Sequence, residues 1–441
     1  MKAIEKMMRK FEPQHDSKWS KLHPAWDAFY TFLFTPGETT QKGSHIRDGI
    51  DLKRTMFTVV IALIPCLLFG MYNTGHWHYA SLGEAGEFMD NFGAKLGYGV
   101  LRTLPLVIVS YGVGLGVEFI FAIRNQHPIQ EGFLVSGMLI PLVVPVDVPL
   151  WMVAVAVIFA VVIGKEVFGG TGMNIVNVAL TTRAFLFIGY PTMMSGDKVW
   201  VGGLGEKGAK LADGFSGATP LGDLATAASV HVENVTALEK ITALEAKIGV
   251  MPELAEQLTE KISALKDIIA SNSAVIETKL AMIPSLLDSV YGNIMGSIGE
   301  TSVLAIGIGA IILLYTGIAS WRIMLSFILG GFVMGLIFNA WGANPFMNIE
   351  PLKQLALGGF AFGAVFMVTD PVTGCQTNTG KFIYGFMAGF FAILVRVFNT
   401  AFPEGVMMSI LFFNVMAPLI DHYVIQANVK RRMKRLKSKT V

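Results

Sequence analysis

The sequence has 441 residues, of which 53% are hydrophobic and 15% are charged, with a formal net charge of +2. Soluble domains carry about 25% charged residues because their surface must be solvated. Here the charge deficit accompanies long apolar runs, which excludes an ordinary soluble enzyme and predicts several membrane spans. The two cysteines, Cys66 and Cys375, form no CxxC pair, which excludes a self-contained zinc or iron–sulfur site.

Residues 1–54 are predicted to form a cytoplasmic N-terminal region. They are polar and lack a short apolar core, so we expect no cleavable signal peptide. Residues 1–11 alternate apolar side chains with lysine and arginine, which is typical of a helix lying on the membrane surface. Aromatic residues that could line a site for a hydrophobic ligand follow at Trp19, Trp26, Phe29, Tyr30, Phe32 and Phe34.

Apolar stretches predict ten membrane-spanning helices in two groups of five. The first membrane unit covers 55–192, with predicted spans at 55–74, 101–123, 133–146, 150–164 and 174–192. The second covers 301–424, with predicted spans at 301–318, 322–339, 354–369, 382–398 and 405–424. Two five-helix halves separated by one external loop would face the membrane in opposite senses, as inverted repeats do. The predicted fold is an all-α polytopic membrane protein.

Lysine and arginine placement predicts the orientation, because basic residues near span ends are retained in the cytoplasm. Lys53 and Arg54 precede the first span, and a basic tail at 425–441 follows the last one. Both termini are therefore predicted to be cytoplasmic. Four further basic residues lie at predicted inner ends, namely Arg124, Lys165, Arg322 and Lys381. Arg102 and Arg396 lie near predicted outer ends and are exceptions.

The stretch 193–300 is predicted to be periplasmic because it is more acidic than basic and contains no arginine. Leucine and isoleucine recur at helical spacing through 235–288, with a break at Met251-Pro252, which predicts an external helical hairpin. The part before it, 193–225, is rich in glycine and is expected to be irregular.

Two related interruptions lie within the membrane units, at Gly169–Asn174 and at Thr373–Asn378. Glycine, threonine and asparagine at membrane depth suit broken helices whose freed backbone groups face a cavity or cofactor. Ordinary close packing of small residues is the alternative.

The segment Asp213–Thr219 presents a hydroxyl in the external loop, six residues after an acid and just before Pro220. A modifying enzyme could esterify such a hydroxyl, although a plain turn would have the same composition. The segment resembles the D-x-x-[ST]-G-A-[ST] acceptor motif of periplasmic flavin transferases, which attach FMN through its phosphate. Thr219 matches the acceptor position.

The rest of the chain resembles the NqrB/RnfD family, and within it the flavin-bearing membrane subunit of the bacterial Na⁺-translocating NADH:quinone oxidoreductase (Na⁺-NQR). The matching stretches are 34–37, 44–48, 51–54, 164–172, 183–187, 296–300, 317–322 and 357–363. The hairpin at about 230–288 is longer than that family's pattern leads us to expect.

This resemblance implies a membrane subunit that passes electrons to ubiquinone and couples this to export of Na⁺ or H⁺. It implies FMN esterified to Thr219, with Asp213, Ser216, Gly217 and Ala218 as further flavin-binding residues, and one noncovalent riboflavin. NADH would be oxidised elsewhere, since the chain has no GxGxxG in a strand–helix context. The implied partners are an NADH-binding flavoprotein, a second subunit with covalent FMN, small membrane subunits and the periplasmic flavin transferase. The implied location is the bacterial inner membrane, and no nucleic-acid partner is expected.

For riboflavin, the matching residues are Asn174 and Asn177. Two amides three residues apart would share a helical face and could bond the isoalloxazine edge. A pair of amides that join two helices is the alternative.

For the quinone, Gly114 and Gly116 would let a flat head group approach the backbone closely. Phe185 and Phe187 are the aromatic candidates for the same site. Close helix packing is the alternative interpretation of the two glycines.

Three acids at membrane depth are candidates for cation uptake from the cytoplasm, namely Glu118, Asp370 and Asp421. Carboxylates bind small cations and also relay protons, so the transported ion stays open between Na⁺ and H⁺. Each acid could instead form a salt bridge or cap a helix. The eight histidines show no metal-ligand spacing.

Three other functions are alternatives. The RnfD-type subunit of the related ferredoxin:NAD oxidoreductase (Rnf) complex shares the flavinylation motif, but the extended N-terminus with residues 36–37 and 44–48 favours the quinone-reducing family. A solute channel or transporter would have an unmodified Thr219 and would be colourless, and a scaffold without flavin would use the external hairpin to recruit partners.

Overall fold

The structure is a computed structural model that describes residues 12–13, 23, 26, 30–31, 34, 40, 42–44, 52–84, 86–125, 132–204, 212, 215–250, 255–399 and 405–437. In these ranges the regular secondary structure is helical and contains no strand. The first membrane unit comprises α1 (Leu52–Ser81), α2 (Phe92–Asn125), α3 (Phe133–Val143), α4 (Leu150–Gly164) and α5 (Val178–Gly189). The external hairpin comprises α6 (Pro220–Val250) and α7 (Ala255–Ala281), and the short helix α8 (Leu286–Tyr291) follows it.

The second membrane unit completes the five-plus-five order. It comprises α9 (Val303–Tyr315), α10 (Trp321–Trp341), α11 (Pro351–Ala356), α12 (Phe360–Phe362), α13 (Asn378–Phe398) and α14 (Val406–Lys437). A π-helical turn, Gly363–Met367, continues α12. The predicted all-α polytopic fold is confirmed. The N-terminal surface helix at 1–11 falls outside the described ranges, as do Trp19, Phe29 and Phe32 of the predicted aromatic residues.

Six of the described helices are long and apolar enough to cross a membrane. Three others, α3, α5 and α9, are apolar but have only 11, 12 and 13 residues. At 1.5 Å per residue these reach about 20 Å or less, short of the roughly 30 Å of hydrocarbon. Irregular backbone adjoins each of these three helices, and membrane proteins tolerate such backbone where neighbouring helices bury it.

Several predicted spans differ from the helices observed. The span expected at 174–192 is the shorter helix α5, since Asn177 caps its first turn. The span expected at 354–369 is broken at Leu357–Gly359 and continues as α12 and the π-helical turn. Conversely, α1, α2 and α14 extend well past their predicted bounds, because polar residues continue the helix beyond the apolar stretch.

The external hairpin begins earlier than its sequence pattern predicted. Pro220 occupies the first turn of α6 and Thr219 caps this helix, so 220–225, expected to be irregular, is helical, and the helix continues through 226–234. The expected break at Met251-Pro252 lies outside the described residues. The amine of Lys279 near the end of α7 pairs with Asp223 in the first turn of α6 at 2.7 Å, which holds the two ends of the hairpin together.

Helices α10 and α13 approach each other closely through reciprocal glycines. A Cβ on Gly330 of α10 would lie 2.0 Å from the carbonyl oxygen of Phe386, and one on Gly389 of α13 would lie 1.9 Å from that of Phe327. Small residues at such crossings let backbones meet without a polar side chain, which is how membrane helices commonly associate.

The bundle has two distinct ends. The start of α1, the end of α4 and the turn between α9 and α10 border one cavity, and Lys53, Arg54, Lys165 and Arg322 lie at or beside these ends. We call this the basic end; the hairpin lies at the opposite, hairpin end. The two exceptional arginines have partners within the protein. Arg102 pairs with Asp147 at 3.8 Å, and the fully buried Arg396 donates to the carbonyl of Gln354.

Candidate functional site

Thr219 is the N-cap residue of α6 at the hairpin end. Its Oγ1 accepts a hydrogen bond from the amide of Gly222 at 3.2 Å, and its carbonyl accepts one from Asp223 at 3.0 Å. The N–H groups of a helix's first turn point outward there, and the helix dipole favours negative charge. The hydroxyl expected to carry a phosphate therefore lies where a phosphate is stabilised.

Thr219 opens onto a cleft of about 780 Å³, within the size range of small-molecule sites. Phe187 at the end of α5 and the buried Trp200 give it aromatic surface. Lys279 and Asp223 contribute an ion pair to the same cleft. Aromatic walls with a few polar groups suit a flavin ring beside the esterified Thr219.

Close packing constrains the residues of the flavin-acceptor motif that precede Thr219. A Cβ on Gly217 would lie 2.3 Å from the carbonyl oxygen of Asp197, so glycine is required there. The amide of Ala218 lies 3.4 Å from Ser216 Oγ, and Ser216 and Ala218 both line the cleft. Asp213, the first motif residue, lies outside the described residues.

The first turn of α6 packs onto the break of the second membrane unit. Leu221 is buried, and its side chain lies 2.4 Å from the position of a Cβ on Gly358, which has a φ of +64°. Beside it, the buried Glu300 pairs with Arg183 of α5 at 2.7 Å. The helix that Thr219 caps thus packs against the break of the second half, and the Glu300–Arg183 pair joins that break to α5 of the first half.

A second cavity lies at the basic end, where the first predicted interruption meets the segment just before the second one. Thr171, Asn174 and Asn177 come from the first half, and Thr369 and Asp370 come from the second. Its apolar surface comes from α1, α3 and the π-helical turn, with Met56, Val59, Leu139 and Phe366. Both interruptions connect helices at this end, rather than break one at mid-depth.

Asn177 and Asn174 line this cavity without sharing a helical face, so that expectation was wrong. Asn177 precedes α5 as its N-cap, with its Oδ1 accepting from the amide of Leu180 at 3.1 Å. The Asn177 Nδ2 donates to Asp370 Oδ2 at 3.3 Å, and Asn174 Nδ2 donates to the carbonyl of Val176 at 3.3 Å. Because Asn177 is the N-cap, the helix starts one residue after it and Asn174 lies outside the helix.

The basic-end cavity suits a flavin by chemistry but is small. Amide groups beside apolar walls match a polar edge and flat faces. Its volume of about 100 Å³ is below the roughly 300–1,000 Å³ of small-molecule pockets. In this conformation it accommodates water or a small cation, and an isoalloxazine does not fit unless its walls separate.

Each of the three candidate acids has protein partners. Glu118 of α2 forms a buried ion pair with Lys165 at the end of α4. Asp370 lines the basic-end cavity, where it accepts from Asn177 and from the amide of Val372 at 3.0 Å. Asp421 of α14 accepts from the amides of Gln376 and Thr377 at 2.6 and 3.1 Å, at the start of α13.

The predicted quinone residues lie at three different places. A Cβ on Gly114 would lie 1.9 Å from the Phe133 ring, so α3 covers that glycine, whereas Gly116 has nothing within 4 Å. The Phe185 ring lies 4.7 Å from that of Phe159 on α4. Phe187 lines the Thr219 cleft. Phe185 also borders an apolar pocket of about 320 Å³ between α4 and α5. Of the two glycines, only Gly116 leaves open space for a flat ring.

Lys165, Trp200 and Lys279 are residues of these sites that the sequence did not single out. The pairing of Lys165 with Glu118 spans 47 residues, and no local pattern indicates it. For Thr219 a local signal was present: a threonine before proline, with an acid in the following turn, is typical of a helix start.

Comparison with known proteins adds to this geometry. The sequence model of the NQR2, RnfD, RnfE family matches residues 39–430, which include both cavities. The chain belongs to this family. One similar protein comes from Ectopseudomonas mendocina (strain ymp). It is named as a subunit of Na(+)-translocating NADH-quinone reductase. It is 40% identical, over 98% of each chain.

Two further relatives carry the same name. The protein of Chromohalobacter salexigens is 39% identical over 98% of this chain and 97% of its own length. The protein of Haemophilus influenzae (strain PittEE) is 37% identical over 98% of this chain and 99% of its own. All three names specify the quinone-reducing complex.

Proposed function

We propose that the protein is the NqrB-type membrane subunit of a Na⁺-translocating NADH–quinone reductase, with FMN esterified to Thr219. The names of its relatives and the full-length similarity support the complex. The observation that carries the flavin is the position of Thr219, which caps a 31-residue helix and opens onto a cleft with aromatic walls. A bound flavin supplies the electron transfer that protein side chains cannot.

In this proposal the residues of the cleft bind and orient the flavin. First-turn amides of α6 stabilise the phosphate charge, and Phe187 and Trp200 offer surface for the ring. Lys279 contributes a positive charge that Asp223 balances. Leu221 packs α6 against the break of the second membrane unit, and Glu300 pairs with Arg183 of the first, so these residues would keep a bound flavin close to the bundle.

We further propose that the basic end faces the cytoplasm of an inner membrane and the hairpin faces the periplasm, where the flavin transferase acts. Lysine and arginine at span ends support this orientation. The NADH-binding flavoprotein, the other FMN-carrying protein and the small membrane subunits would complete the complex. Riboflavin would bind at Asn174 and Asn177 in a widened form of the basic-end cavity, and ubiquinone would approach α2 at Gly116.

The test uses the complex purified from its native host and denatured on a gel. We expect flavin fluorescence in the band of this protein, and a peptide containing Thr219 with the mass of FMN. Thr219→Ala should abolish both signals, whereas Thr219→Ser keeps an acceptor hydroxyl and should retain them. Thr226→Ala is the matched control, because Thr226 lines the same cleft and donates only to the carbonyl of Gly222. A dark parent band would contradict the flavin assignment and favour a transporter without redox activity.

A further inference from the structure

Lys165 carries a buried positive charge at the end of α4 and is 4% exposed. Its Nζ is paired with Glu118 Oε1, and the side chains of both residues are 5% exposed. A compact ammonium on a flexible stem is a point charge that can occupy the place of a small monovalent cation. The carboxylate proposed to bind the transported ion is therefore already occupied by an internal cation.

The same lysine borders the basic-end cavity. Lys165 and Asp370 are the charged residues among the described residues that line it. The lysine thus borders two carboxylates, Glu118 in its ion pair and Asp370 on the wall of a cavity large enough for water or a small cation. Taken together, the three groups carry a formal charge of −1 when ionised, which one monovalent cation would neutralise.

The backbone around Lys165 turns back on itself. Its carbonyl accepts from the amides of Phe168 at 3.2 Å and Gly170 at 3.1 Å. Gly169 and Gly170 have φ angles of +114° and +93°, which only glycine adopts readily. This turn holds the backbone at Lys165, whose side chain has four rotatable methylene groups between the Cα and the amine.

We propose that Lys165 is a tethered competitor for the transported cation. Its ammonium occupies the cation position at Glu118, and an entering Na⁺ displaces it toward the cavity, where Asp370 balances its charge. This inference rests on the proposed function for the identity of the ion. Once Na⁺ is bound at Glu118, each of the two buried carboxylates has a counter-charge. Before Na⁺ enters, Asp370 carries the excess negative charge and accepts hydrogen bonds from Asn177 and Val372. Because an uncompensated buried charge is costly inside a membrane, this excess charge favours the entry of one cation.

Two substitutions should shift sodium affinity in opposite directions. Lys165→Met removes the competitor, so the KM for Na⁺ in quinone reduction should fall about tenfold, a change of roughly 1.4 kcal/mol. Lys165→Arg replaces it with a guanidinium that binds a carboxylate at two points, so this KM should rise. A merely structural role would lower kcat in both variants without opposite shifts of KM, and that result would overturn the proposal.

A second readout is independent of electron transfer. The purified full complex is treated with dicyclohexylcarbodiimide, which adds to a protonated carboxyl without a leaving group, and Glu118 labelling is measured by mass spectrometry. Labelling of Glu118 should be low in the parent and in Lys165→Arg, and high in Lys165→Met. In Lys165→Met, Na⁺ should suppress the labelling and choline should not. Lys240→Met, on the exposed hairpin, is the control and should behave as the parent.

Equal labelling of parent and Lys165→Met, or no effect of Na⁺ on Lys165→Met, would overturn the competitor role. Because labelling needs no flavin or quinone, failure of this proposal can be distinguished from failure of the flavin assignment tested at Thr219. If Lys165→Met fails to assemble, the KM of Lys165→Arg decides: a raised value supports the proposal and an unchanged value overturns it.

Discussion

The side-chain amide of Asn177 donates a hydrogen bond to Asp370 at 3.3 Å, across 193 residues of sequence. Asn177 precedes α5 in the first membrane unit, and Asp370 follows the π-helical turn of the second. The contact therefore joins a residue that follows the first predicted interruption, 169–174, to one that precedes the second, 373–378. One amide group caps a helix with its oxygen and holds a carboxylate with its nitrogen.

Substitution of the two cavity asparagines should separate ligand binding from stability. Asn177→Ala removes the N-cap of α5, at a cost of about 1 kcal/mol, and removes the donor to Asp370. Asn174→Ala removes only a bond to the neighbouring carbonyl of Val176. We expect both variants to lose noncovalent riboflavin, and only Asn177→Ala to unfold at lower temperature.

Riboflavin extracted with acid and quantified against covalent FMN measures the first effect, and thermal unfolding in detergent measures the second. Ser195→Ala serves as a control at the hairpin end, since its hydroxyl donates only to the carbonyl of Pro191. Full riboflavin content in both asparagine variants would show that these amides do not hold the flavin.

Asp421 and Asp370 should respond differently to neutralisation. Asp421 accepts hydrogen bonds from two backbone amides at the start of α13 and does not line the basic-end cavity. Its carboxylate therefore stabilises the backbone that precedes α13. Asp370 lines that cavity. We predict that Asp370→Asn raises the KM for Na⁺, whereas Asp421→Asn leaves this KM unchanged and lowers the thermal stability.

Steady-state quinone reduction over a range of Na⁺ concentrations at constant ionic strength measures both values of KM. A raised KM for Na⁺ in Asp421→Asn would return that residue to the ion pathway. An unchanged KM in Asp370→Asn would remove Asp370 from it.

The sequence predicted the elements that depend on local chemistry. Apolar runs indicated five-plus-five membrane segments, and the helical spacing of leucine and isoleucine indicated the hairpin, because both depend on residues close in sequence. The residue Thr219 was identified through a motif. In each case the governing interaction lies within a few residues of the pattern.

The remaining features depend on contacts between distant segments. The pairs Glu118–Lys165 and Arg183–Glu300 join residues 47 and 117 positions apart. The Phe133 ring that covers Gly114 belongs to another helix. A glycine covered by a ring and one open to a ligand look alike in sequence, so the quinone residues could not be separated before the structure was known.

Two glycines of α2 offer a matched test of quinone approach. Gly116→Ala meets nothing within 4 Å, so we expect normal stability and a raised KM for ubiquinone. Gly114→Ala places a methyl group 1.9 Å from the Phe133 ring, and overpacking of this kind costs about 1–3 kcal/mol. Thermal unfolding and quinone kinetics of both variants check this. An unchanged KM for ubiquinone in Gly116→Ala would place the quinone elsewhere.

The break between α11 and α12 supplies the last prediction. A Cβ on Gly359 would lie 2.5 Å from Glu300 Oε1, and this carboxylate is held by Arg183 and by the hydroxyl of Ser297. Gly359→Ala must therefore displace a buried, paired carboxylate, and we expect a loss of about 1–3 kcal/mol in unfolding free energy.

Gly307→Ala in α9 is the matched control, because its added Cβ meets nothing within 4 Å and alanine favours a helix over glycine by up to about 1 kcal/mol. In detergent, the unfolding temperature of Gly359→Ala should therefore fall below that of the parent. The unfolding temperature of Gly307→Ala should rise or stay unchanged. Since Leu221 packs against the neighbouring Gly358, Gly359→Ala should also make the peptide around Thr219 more accessible to protease. Equal stability and equal cleavage in Gly359→Ala and the parent would show that Glu300 does not anchor the flavin-bearing helix.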